Sequence, residues 1–106
     1  MKDTVLCFMI TDRISVHISA ALENGCLTVE GYDCGEAVEE FWGNDDYEYR
    51  LRFDKAGTDK LFRLLCKKDE PPEEALAEKF NGPDACSDLK RFCTEHGIEY
   101  DFQSRI

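Results

Sequence analysis

The chain has 106 residues, 42% of them hydrophobic and 34% charged, and a net charge of −10. That is the length of one domain, spanning 1–106, with enough apolar residues to close a core without metals or disulfides. Eleven acids face two bases up to Tyr49, and no Lys or Arg occurs from Ile14 to Tyr49, which argues against nucleic acids and anionic membranes, whose binding needs phosphate-neutralising cations, and favours a basic protein partner.

In chain order, Val5 to Ile10 is a nearly continuous apolar run, suited to a strand with both faces covered. After the turn residues Thr11, Asp12 and Arg13, the residues Ile14, Val16, Ile18 and Ala20 alternate with Ser15, His17 and Ser19. That period of two predicts a strand with one wet face. Asn24-Gly25 tolerates the positive φ angles of a tight hairpin, and Leu27 and Val29 resume the alternation beyond it. The first thirty-two residues therefore read as a three-stranded antiparallel meander.

Glu36 to Trp42 fits two turns of helix, with Ala37, Val38, Phe41 and Trp42 on one stripe and Gly43 as the stop. Asp46 to Phe53 is a strand, with Tyr47, Tyr49, Leu51 and Phe53 on one face and Glu48, Arg50 and Arg52 on the other. The arginines are expected to pair across strands with Glu30, Glu99 or Asp101. Asp54 caps a helix running to about Lys67, with Leu61, Phe62, Leu64 and Leu65 on its apolar side. Pro71 and Pro72 open a short helix anchored by Leu76 and Phe80. Another runs from about Asp84 to His96, burying Ala85, Leu89, Phe92 and Cys93, and Gly97 stops it. Ile98, Tyr100 and Phe102 form a last strand at a sheet edge. The order is βββ-α-β-ααα-β, an α+β layout in which a mostly antiparallel sheet has helices over one face.

Few residues suggest chemistry. The six cysteines form no C-x-x-C pair, and the two histidines stand apart from any ligand spacing. The thiols read as small buried hydrophobes, with Cys26 and Cys34 the more exposed. His17 belongs to a polar strand face and His96 to a helix C-terminus, where it faces the last carbonyls. Phosphate loops and G-x-S-x-G are absent from the sequence, so no cofactor is expected. The apolar run at the N-terminus is too short for a signal peptide and no stretch reaches a membrane span, so a cytoplasmic location is expected.

The stretch from Asp33 to Tyr49 is distinctive: seven carboxylates and four aromatics without a base. Interfaces favour Trp and Tyr as anchors. Glu36, Glu39, Glu40, Trp42, Asp45 and Asp46 are the candidate partner-binding residues, and a runner-up reading uses Asp33, Asp45 and Asp46 to hold a divalent metal, for binding alone or for catalysis. Within it, EEFWGNDDYEY (Glu39 to Tyr49) resembles a motif of small uncharacterised bacterial proteins of this length, and CSDLKRFCTEHGIEYDF resembles their C-terminal segment; this likeness brings no assigned activity. In size, charge and lack of catalytic motifs the chain also resembles immunity proteins that neutralise bacterial toxins. That resemblance implies a non-enzymatic protein that blocks a basic toxin domain. Self-association through the last strand or an exposed edge is a further expectation.

Overall fold

The computed structural model describes residues 4–43 and 45–105; the side chain of Trp42 also lies outside the described residues. Five strands, β1 (Thr4–Ile10), β2 (Ser15–Glu23), β3 (Cys26–Cys34), β4 (Asp46–Arg52) and β5 (Asp101–Arg105), form one sheet. Their order in space is their order in sequence, and every neighbouring pair is antiparallel. Helix α1 (Glu36–Trp42) joins β3 to β4, while α2 (Lys55–Leu65), α3 (Pro72–Lys79) and α4 (Ala85–His96) lie between β4 and β5. The α+β expectation thus holds, and the direction of the last strand is settled: β5 lies antiparallel beside β4.

The β2–β3 hairpin follows from Asn24 and Gly25, whose φ angles of 53° and 78° match the twist of the flanking strands. Alternation then sends Val16, Ile18, Ala20, Leu27, Val29 and Leu51 to one face, where α2, α3 and α4 cover them with Leu61, Leu76, Phe80, Leu89 and Cys93. Ile18, Leu27, Leu51, Leu61, Leu76 and Leu89 are all fully buried. Each such side chain contributes about 1.5–3 kcal/mol relative to exposure. Asp54 caps α2 as expected, its Oδ1 accepting from the Gly57 N–H at 2.7 Å.

Thr58 is the buried polar residue that hydropathy overlooks. Its Oγ1 accepts the Leu27 N–H at 2.9 Å, at the end of β3 where Phe53 has passed beyond β4 and only its own N–H reaches back, to the Leu27 carbonyl. One hydroxyl therefore completes the ladder and fixes α2 against the sheet.

Several expectations need correction. β1 is not covered on both faces. The β1–β2 register shifts between Val5 and Cys7, so Leu6 and Cys7 both turn inward while Val5, Phe8 and Ile10 are exposed. A bulge adds a residue to one strand and resets the alternation beyond it. Phe41 is 77% exposed rather than on a buried stripe, leaving Val38 as the buried residue among the described side chains of α1. Leu64 is also exposed on α2. The last strand begins at Asp101; Ile98 is buried and Tyr100 packs on the core before β5 starts.

Candidate functional site

The acidic residues gather where α1 meets the β1–β2 turn. The Ala37 N–H donates to the Arg13 carbonyl, and the Gly35 N–H to the Asp45 carbonyl, so two backbone bonds hold the short helix against both chain passages. Gly43 ends α1 in the left-handed region at φ 81°. Glu36, Glu39 and Glu40 on α1, and Asp45 and Asp46 after it, are all exposed. Five of the six candidate residues are thus exposed, Glu36, Glu39 and Glu40 along a ridge on α1 and Asp45 and Asp46 in the chain just after it; the sixth, Trp42, has its side chain outside the described residues.

Arg13 is the cation of this ridge. Its guanidinium lies 3.8 Å from Glu36 and is hydrogen-bonded to Glu40, a contact that raises its pKa further. Glu39 and Asp45 make no salt bridge among the described residues. Asp46 accepts the Tyr32 hydroxyl at 2.7 Å, and that bond, ahead of burial, pushes the phenol up to about 12. Phe41, on the same helix, is an exposed aromatic that the amphipathic stripe had placed inside.

The aspartates of the metal reading do not converge. Strand parity places Asp33 on the helix-covered face with Gly31 and Tyr49, and Asp46 on the opposite face with Glu48 and Arg50. Among the described residues, no three His, Cys, Asp or Glu side chains come together in a way that would hold a metal ion.

Asp33 has a different setting. Gly31 lies opposite Tyr49 in the ladder, and the tyrosine ring lies so close over it that a Cβ would meet ring carbon at 2.0 Å. The Tyr49 hydroxyl donates to Asp33 Oδ1 at 2.9 Å. Burial raises the Asp33 carboxyl above its ordinary value, while the tyrosine bond works in the opposite sense. The phenol is itself pushed up by burial first and by Asp33 next. Glycine, tyrosine and aspartate form an internal strut beneath the sheet end that carries the ridge.

On the opposite face, the sheet forms an open groove of about 950 Å³ whose lining includes His17, Ser19, Glu30, Tyr32, Arg50 and Arg105. Its arginines are tied down: Arg50 to Glu30 at 3.2 Å and Arg105 to Glu48 at 2.9 Å. Of the expected cross-strand pairs, Arg50–Glu30 forms, and Arg52 faces Asp101 in register.

All six cysteines are free, with Cys7, Cys86 and Cys93 buried and Cys26, Cys34 and Cys66 half-buried. Burial lifts the Cys86 and Cys93 thiols to about 11, which leaves little thiolate at neutral pH. His17 lies edge-on to Phe8 and His96 against Phe92. No helix among the described residues is long and apolar enough to cross a membrane. Comparison with protein-family models, curated proteins and solved structures returns no match.

Proposed function

We propose that the chain is a non-enzymatic binding domain whose α1 ridge engages a basic protein. The observation that carries this reading is the exposure of Phe41, at 77%, on the same short helix as the exposed Glu36, Glu39 and Glu40, of which Glu36 and Glu40 are answered by Arg13. Acidic residues speed encounter with a cationic surface, and an exposed aromatic on the same helix supplies the desolvated contact that slows release. Phe41 is thereby an anchoring aromatic beside Trp42, the one that the sequence put forward. The concrete form of the proposal is an immunity-type protein that covers the working surface of a basic toxin domain. It acts by steric occlusion, which needs no cofactor.

The test begins with the partner captured from the source organism on the immobilised protein. Charge reversal at Glu39, Glu40, Asp45 and Asp46 slows association with that partner and flattens its salt dependence, while Phe41→Ala speeds dissociation. A partner that is not basic, or one whose binding is indifferent to both changes, overturns the reading.

A further inference from the structure

The two edges of the sheet are built differently. β5 carries Asp101 and Arg105, and all five of its residues are exposed. Charges of this kind guard a strand edge against pairing. β1 has no such guard: from Thr4 to Thr11 the sequence contains no charged residue and no proline.

The unpaired groups of β1 can be located from the ladder. The Thr11 N–H donates to the Ile14 carbonyl, and the register pairs Met9 with Val16 and Phe8 with His17. Counting back in twos, Met9 and Cys7 point their backbone groups at β2, and Phe8 and Ile10 point theirs away from the sheet. Among the described residues, only the bulged end is occupied, where the Leu6 carbonyl accepts from Gly82 N–H at 3.0 Å. The stretch beyond it is open, and its Phe8 and Ile10 side chains are 69% and 68% exposed.

We propose that β1 is a self-association edge, paired antiparallel with β1 of a second copy of this chain. Because β5 is guarded, sheets cannot add head to tail; β1 on β1 is an isologous contact that closes as a dimer. A two-fold axis at Met9 sets Phe8 opposite Ile10 of the second copy, twice, and satisfies the outward N–H and C=O groups of both residues. Aromatic on β-branched is a favourable cross-strand pair. Charge selects the occupant. A chain of net charge −10 repels its own copies, and β1 is an edge where they meet without opposing carboxylates, whereas a basic protein is drawn to the α1 ridge. The paired segment is short, so the dimer is weak and concentration-dependent.

Sedimentation of the purified chain over a range of concentration, at low and high salt, tests this. The expected result is a monomer–dimer equilibrium that strengthens as salt screens the net repulsion, with Ile10→Lys and Phe8→Lys each raising the dissociation constant at least about tenfold. A monomer at every concentration and salt overturns the proposal and leaves the edge to a strand from another protein; dimerisation unaffected by either variant overturns it too. Should the variants misfold, amide exchange on the wild-type chain decides. Protection at Phe8 and Ile10 that grows with protein concentration supports the pairing, and protection independent of concentration removes it.

Discussion

From β1 to β2 the open face of the sheet carries Val5, Phe8, Ile10, Ser15, His17 and Ser19, whereas from β3 to β5 it carries Glu30, Glu48, Arg50, Arg52, Asp101 and Arg105. Apart from Glu23 at the hairpin end, one half is neutral and partly apolar; the other is charged, with cross-strand ion pairs. The α1 ridge adds its carboxylates beside the end of this second half. The difference shows that a strongly acidic chain need not be acidic everywhere. Charge is concentrated where it can steer a partner and withheld along an edge where it would prevent pairing. The two surfaces should answer salt in opposite senses, since screening weakens attraction to a basic protein and relieves repulsion between copies.

The largest expected effect comes from emptying the core beneath the charged half. Leu51, fully buried in β4, pairs with Val29 on one side and Phe102 on the other. Leu51→Ala should lower stability by about 2–5 kcal/mol, since a buried leucine leaves a cavity that closes only in part. Chemical denaturation measures it, and a loss below that range would show the sheet to be less tightly filled than its burial indicates. Thr58→Val is next. It keeps the shape but strands the Leu27 N–H, at a cost of about 1–3 kcal/mol.

A smaller effect sharpens the role of the strut beneath the ridge. The Asp33 carboxyl has its folded-state pKa raised above 3.8, mainly by burial. Between the unfolded and folded values the native state therefore holds more protons than the unfolded chain, and stability falls as pH rises through that window. Asp33→Asn, which still accepts from Tyr49, should flatten that slope and keep neutral-pH stability. Tyr49→Phe removes the bond that favours the carboxylate, so the slope should steepen. Thermal melts of the three proteins from acidic to neutral pH check the order, and parallel profiles would remove Asp33 from the account.

Arg13→Ala is expected to change stability least, because its ion pairs are exposed and such pairs contribute little. It should nonetheless speed association with a basic partner by uncovering Glu36 and Glu40. A rate change without a stability change would separate steering from scaffolding.

Much of this architecture is legible in the residues. Period-two alternation marks β2, β3 and β4, Asn24-Gly25 marks the hairpin, and Asp54 marks the start of α2, because each signal is local. The positions of the ridge carboxylates are legible too. Three features are not. The bulge at Leu6 involves no glycine or other marker, so the apolar run from Val5 to Ile10 conceals a half-exposed strand. A helix of seven residues is too short for its stripe to determine which aromatic faces outward, and Phe41 emerges exposed. Thr58 reads as one more exposed polar residue of a helix until the Leu27 N–H that it accepts explains its burial. For Thr58 the deciding partner lies 31 residues away in sequence.

The most direct test of the central claim is the association rate of the captured basic partner across ionic strength, for the wild-type chain and for the variant reversed at Glu39, Glu40, Asp45 and Asp46. The account predicts a steep fall with salt for the wild type and a flat or rising dependence for the variant. Equal slopes for the two proteins would contradict it.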